Sequence, residues 1–182
     1  MIYSKRLRLR AAERADLPLF VRWLNDPEVR QNLALYLPMS QASEEQWFES
    51  MLKSPPAEHV LVIEVRQPDG ESWQPIGNCS LMDIDWHNRK AEFGIFIGEK
   101  SMWNQGYGTE TARLILKHGF DTLNLNRISL QVFATNPRAI RAYEKAGFVL
   151  EGRLRQAEFI DGQYVDMLLM SVLRSEWNPG EG

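Results

Sequence analysis

One cysteine, Cys79, is the only thiol in 182 residues. That excludes an internal disulfide and any zinc knot built on cysteines. As a small apolar side chain, Cys79 belongs in a core. No run approaches the roughly 20 apolar residues of a membrane span, and residues 1–10 lack the apolar stretch of a secretory signal. These absences predict a soluble, cytoplasmic chain with no membrane contact. Positive charge is not in excess, with 21 Lys and Arg against 24 Asp and Glu and a net charge of −3. The electrostatic footprint of a duplex nucleic-acid binder is therefore missing, and no nucleic-acid partner is expected. His59, His87 and His118 share no metal-ligand spacing, so no metal is expected. They are read as packing or surface groups, and for His87, in the turn Trp86-His87-Asn88-Arg89, a place beside a ligand site is the lesser alternative. No Gly-Lys-Ser/Thr occurs, which rules out a Walker loop.

What is present fits one α+β domain spanning 1–182, with hydrophobic residues at 44% and charged ones at 25%. Lys5 to Arg10 alternates polar and apolar, the period of a strand, and its arginines are read as a solvated face. Residues 15–25 carry Leu17, Phe20, Val21 and Leu24 on one helical stripe, with Pro18 tolerable in the first turn. A short helix is expected at 28–33, and another from the box Ser43-Glu44-Glu45-Gln46 to about residue 53. Branched residues mark strands at 60–66, 76–84, 91–97 and 127–133. Helices are expected at 109–120 and from the Asn136 cap, with Pro137 at its first position, to the Gly147 stop. Asp161-Gly162 turns a hairpin between 148–159 and 163–173. Residues 178–182 read as a frayed tail.

A glycine-rich turn, Trp103-Asn104-Gln105-Gly106-Tyr107-Gly108-Thr109, lies between an apolar strand and an amphipathic helix. A strand, then glycines, then a helix N-terminus is how a backbone makes a nest for phosphate oxygens, and glycines that merely start a helix are the alternative reading of this turn. Glycines without Cβ let amides approach an anion closely. A Rossmann site fails, because neither the third glycine nor the ribose-binding acid is in place.

The turn and the segment Asn136-Pro137-Arg138-Ala139-Ile140-Arg141-Ala142-Tyr143-Glu144-Lys145-Ala146-Gly147-Phe148 together resemble the acyl-CoA site of the GNAT superfamily of N-acetyltransferases. Asn136 and Tyr143 match the family's N-x-x-A-x-x-x-Y-x-x-x-G-F segment. Glu151-Gly152, Asp161 to Tyr164 and Asp166 resemble the hairpin of the RimJ/RimL-like and spermidine acetyltransferase branch. The resemblance implies a mixed, mostly antiparallel sheet of about seven strands, flanked by about four helices, with central parallel strands that splay.

It also implies acetyl-CoA as co-substrate, with no metal. The pyrophosphate would meet the backbone of Trp103, Asn104, Gln105, Gly106, Tyr107, Gly108 and Thr109. Pantetheine would pair with Phe96, Ile97 and Gly98. Asn136 would be a cap that also contacts the cofactor. Direct attack by an amine needs a base, an oxyanion donor and a proton for the thiolate. Tyr143 takes the last task. Glu92 is the candidate base, with Asp83 and Asp85 as rivals. A main-chain N–H near Phe96 or Ile97 is the expected oxyanion donor.

The implied acceptor is a primary amine. The stretch Trp23-Leu24-Asn25-Asp26-Pro27-Glu28-Val29 favours a protein N-terminus, with a polyamine or other small amine as the alternative. Trp23, Tyr36, Trp47, Phe159 and Tyr164 are candidate walls, and Asp26, Glu28, Glu44 and Glu45 candidate partners for an ammonium. A CoA-binding module without turnover and a nucleotide-binding domain are the competing classes. A homodimer through the edge of the C-terminal hairpin is expected by analogy.

Overall fold

The structure, a computed structural model, describes residues 1–178. The frayed tail expected from residue 178 therefore falls, from 179 onward, outside the described residues. The strands are β1 (Ile2–Tyr3), β2 (Leu7–Ala11), β3 (Leu61–Arg66), β4 (Trp73–Asp85), β5 (Lys90–Ile97), β6 (Arg127–Phe133), β7 (Val149–Ile160) and β8 (Gln163–Leu173). They form one sheet in the order β1-β2-β3-β4-β5-β6-β8-β7. The described α-helices are α1 (Leu17–Leu24), α2 (Pro27–Arg30), α3 (Gln41–Met51), α4 (Tyr107–Lys117) and α5 (Pro137–Ala146). The expectation of about seven strands and four helices becomes eight and five. The extra strand is β1, two residues paired with β2 through Ile2↔Leu9 and Tyr3↔Arg8. The helix beyond that count is α2, a single turn that meets the short helix expected at 28–33 but starts one residue earlier and ends at Arg30.

Two compact units make up the chain. The first comprises Met1–Ser80 and Ile95–Trp103. Its core is Ala12, Leu17, Phe20, Trp23, Phe48, Met51 and Val62. Leu7 and Leu9 of β2 are fully buried. The other face of β2 is not simply solvated, as the charge run suggested. Arg8 Nε and Arg10 Nε donate to the buried Glu64 at 2.5 and 2.9 Å, and Arg10 also grips Asp16 through two 2.7 Å bonds. The Arg8 guanidinium lies 4.6 Å from the Trp73 ring centroid. In α3 the cap is Ser40, whose hydroxyl accepts the Ser43 N–H, so the helix begins three residues before the expected box.

The second unit comprises Leu81–Gly94 and the described residues from Asn104 onward. Helix α4 buries Ala112, Ile115 and Leu116, and β6 buries Ile128, Leu130 and Val132. A π-turn at His118–Thr122 follows α4. Gly119 within it is required by close packing, since a Cβ there would lie 2.4 Å from Ile128 Cδ1. The β5–β6 ladder is the parallel pair of the sheet, and it has three rungs, Lys90↔Arg127, Ala91↔Ile128 and Glu92↔Ser129. Both strands run on past the last rung, as the expected splay requires. In the β7–β8 hairpin, Asp161 and Gly162 both have positive φ, 48° and 83°, as a type I′ turn demands. Asp166 accepts the Gln156 N–H at 2.7 Å beside a bulge in β7.

Candidate active site

Asn104 at φ 62° and Gly106 at φ 84° turn the chain into α4. Gly106 is the N-cap, and no side chain caps the helix. The first intrahelical bond is Glu110 N–H to Gly106 O at 3.0 Å. The N–H groups of Gly108 and Thr109 thus lie ahead of the ladder, at the positive end of the helix dipole. A Cβ built on Gly108 meets nothing nearer than Ala142 Cβ at 4.0 Å. Internal packing does not require glycine there, and the open space fits an anion pressed against the amides. The Thr109 hydroxyl donates to Ala142 O at 3.2 Å, and Arg113 donates to Lys145 O at 2.8 Å, so the loop is tied to α5.

Tyr143 follows Ala142 on α5. Its ring meets Phe93 edge-on at 6.4 Å and Phe148 at 5.9 Å. The hydroxyl has no hydrogen-bond partner among the described residues. Burial pushes the phenol up to about 12, so Oη keeps its proton at neutral pH. Asn136 caps α5 by accepting the Ala139 N–H at 3.1 Å, which leaves its Nδ2 hydrogens and the second lone pair of Oδ1 for any other contact.

Glu92 precedes Phe93 on β5. Its carboxylate does not pair with Arg89 or Lys90. It accepts instead from Gln131 Nε2, at 3.3 Å to Oε1 and 3.4 Å to Oε2. The rival Asp85 is occupied by the Asn88 N–H and side-chain amide at 2.8 and 2.6 Å. Asp83 is exposed with φ 51°. The second unit therefore gathers the loop from Asn104, Tyr143 and Glu92, linked by the Thr109–Ala142 bond and the Phe93–Tyr143 contact.

Phe96, Ile97, Gly98 and Trp103 belong to the first unit. Gly98 N–H and Glu99 N–H share Ile76 O at 2.8 and 3.0 Å. Trp103 Nε1 donates to Ile97 O at 2.8 Å. The resemblance implies a backbone role for Trp103; its indole also anchors the loop entry to the end of β5. A Cβ on Gly98 would lie 2.2 Å from the Trp23 ring, and one on Gly77 would lie 2.1 Å from Phe96 O. Two glycines thus let β4, β5 and α1 close on the segment expected to pair with pantetheine.

The acceptor-side candidates divide. Lys100 Nζ binds Asp26 and Glu28 at 2.8 Å each, so both acids already hold a cation. Glu45 accepts from Gln41 at 3.2 Å. Glu44 is buried, and burial raises its carboxyl above the usual range. Trp23 is a core residue, whereas Tyr36, Phe159 and Tyr164 are exposed. His59 bonds Ser54 O at 3.0 Å, and His118 is half-buried. Among the described residues, no three His, Cys, Asp or Glu side chains are grouped to hold a metal. No described helix is long and apolar enough to cross a membrane.

Comparison with known proteins shows the family. The spermidine N(1)-acetyltransferase of Vibrio cholerae is 32% identical over 187 residues, spanning 96% of each chain. The N-acetyltransferase p20 of Bacillus licheniformis is 30% identical over 178 residues, spanning 97% of each. A crystal structure of the Vibrio cholerae spermidine enzyme in complex with CoA and spermine superposes with a TM-score of 0.85 at 31% identity, covering 95% of this chain and 98% of that one. The acetyltransferase (GNAT) domain family matches residues 6–149, and the chain belongs to that family as an acetyl-CoA-dependent N-acetyltransferase.

Proposed function

We propose that this N-acetyltransferase acts on a polyamine-type small amine. The observation that carries the reading is the end-to-end likeness to an enzyme crystallised with CoA and spermine. The sequence stretch that favoured a protein N-terminus has structural duties instead. Trp23 fills the core, Asn25 bonds both the N–H and the C=O of Met39 at 2.9 and 2.7 Å, and Asp26 caps α2. With those tasks assigned, the stretch no longer argues for a protein substrate.

Acetyl-CoA, when bound, supplies an acetyl group activated as a thioester. The amides of Gly108 and Thr109 are placed to hold its diphosphate, with Gly106 setting their direction. Trp103 fixes the loop entry, and residues Phe96 to Gly98 offer the strand edge for pantetheine. Glu92 takes a proton from the acceptor ammonium, since an ammonium has no lone pair with which to attack; the transfer is uphill and is drawn forward by the C–N bond that the freed lone pair forms. Tyr143 Oη donates a hydrogen bond to the leaving thiolate. Full transfer from a phenol near 12 to a thiol near ~8.5 is uphill, so the phenol acts by stabilising charge while the C–S bond breaks, and the second proton, shed by the nitrogen as the amide forms, ends on the sulfur.

The test is thiol release with a panel of amines, with products read by mass spectrometry. Spermidine and spermine should be acetylated with kcat/KM at least tenfold above peptides with free N-termini. Acetylation confined to the peptides would overturn the reading. The same proposal includes a homodimer through β7, an edge strand exposing Val149, Leu150 and Leu154. Sedimentation of a monomer at micromolar concentration would remove it.

A further inference from the structure

The partner of Glu92 is a neutral amide, and that choice has chemical consequences. Gln131 Nε2 is almost equidistant from the two carboxylate oxygens, at 3.3 and 3.4 Å. Its NH2 group therefore faces the carboxylate centrally and restrains the rotation of its plane. The contact exists because the strands part. The last β5–β6 rung is Glu92↔Ser129, and Gln131 lies two residues further on, with its backbone paired to Leu169 of β8. Side chains, not a ladder, meet across the gap.

The charged groups on the flanking elements are engaged elsewhere. Arg89 Nε donates to Asn124 O at 2.9 Å. Arg127 pairs with Glu151, and its guanidinium holds that carboxyl down to about 2. Lys90 acts on Asp85, whose carboxyl it helps to lower. On β8, Asp166 pairs with Arg153 at 2.5 Å. The ionisable group that α5 turns towards Phe93 is Tyr143, which stays neutral. A lysine or arginine in contact would hold the Glu92 carboxyl low and make it a poor base. An amide orients the carboxylate without that penalty.

We infer that Gln131 is a positioning residue for proton transfer at Glu92, fixing the plane of the carboxylate without setting a cation against it. The inference rests on Glu92 being the base. The step it serves is one proton transfer. An N–H bond of the acceptor ammonium breaks, an O–H bond forms on Glu92, and the electron pair stays on nitrogen.

A charge series at position 131 tests it through the pH dependence of kcat/KM, whose acidic limb reports the base in the free enzyme. Gln131→Glu sets a second carboxylate against Glu92 and should move the limb up by about one pH unit or more. Gln131→Lys should move it down by a similar amount. Gln131→Leu removes the restraint and should lower kcat roughly ten- to hundredfold, with the KM for acetyl-CoA unchanged. Residue 131 is exposed, so all three variants should melt near the wild-type temperature. Opposite shifts from opposite charges are not produced by a merely structural residue. The inference is overturned if the limb stays fixed in both charged variants while Glu92→Gln abolishes it; the base then stands without its positioner. If Glu92→Gln leaves the limb in place, the base assignment fails and this inference fails with it.

Discussion

Replacing Gly108 by alanine should make the protein more stable and a worse binder of acetyl-CoA at once. Gly108 is the second residue of α4, and its φ is not positive. An alanine there adopts the native backbone without strain, and its Cβ finds only a 4.0 Å contact with Ala142 Cβ. Removing the glycine lowers the entropy of the unfolded chain, a gain of about 0.4–1 kcal/mol. For a domain of this size that is a rise in Tm of roughly 1–4 °C. The same methyl stands in the space through which a phosphate oxygen must reach the amides of residues 108 and 109. Losing one hydrogen bond to a charged oxygen costs about 1.5–3 kcal/mol, which is roughly a ten- to hundredfold rise in Kd. Calorimetric titration with acetyl-CoA gives the affinity, and melting curves without ligand give the stability. Gly98→Ala is the control of opposite sign. Its Cβ would lie 2.2 Å from the Trp23 ring, an overpacking that costs about 1–3 kcal/mol or more. If Gly108→Ala binds acetyl-CoA with the wild-type Kd, no diphosphate rests on these amides and the assignment of the turn is wrong.

Three further outcomes follow from the same geometry. Tyr143→Phe should lower kcat about a hundredfold or more with acetyl-CoA binding intact, measured by thiol release; unchanged turnover would remove the phenol from the mechanism. Because burial raises the folded phenol to about 12, the unfolded phenol, near ~10, ionises first. The wild type should therefore lose stability between those values as pH rises, and Tyr143→Phe should not. Glu44→Gln should stabilise the protein at pH 7, measured by chemical denaturation, because burial penalises the charged carboxylate. Burial raises the folded Glu44 carboxyl, so the wild type loses stability as pH climbs from the ordinary carboxylate range through the folded value. The gain should vanish near pH 3, where both forms are neutral, and an equal gain at both pH values would contradict the argument. Trp103→Phe deletes the bond to Ile97 O and should raise the KM for acetyl-CoA about two- to tenfold with kcat retained; an unchanged KM in steady-state kinetics would show that the loop needs no such anchor.

The elements that could be read from the sequence are those where independent local signals agree. Asn136, Pro137 and Gly147 fix both ends of α5, and the observed helix obeys all three. The start of α3 was misplaced because Ser40 and Ser43 are both serines with helix-forming residues behind them. Local chemistry cannot rank two such caps, and the fold chose the earlier one. Strand β1 is two residues long and exists only through its pairing with β2. The Arg8 and Arg10 charges were visible, but their partners Glu64 and Asp16 were not, since Glu64 lies more than 50 residues away on β3.

The site divides along the same line. Glycines advertise a function because backbone geometry restricts which residue can stand there. Gly106 is left-handed, and Gly108 leaves open space beside uncapped amides. Tyr143 was legible through its fixed spacing from the Asn136 cap on one helix. Gln131 carries no such mark. It sits 39 residues from Glu92 in sequence, on a strand whose local pattern says only that the residue faces outward. Its meaning arises where two parallel strands separate, and the separation is a property of the sheet rather than of either strand. In a site opened by splayed strands, the side chains that hold the base are those facing the gap, and they are found by following where a ladder stops.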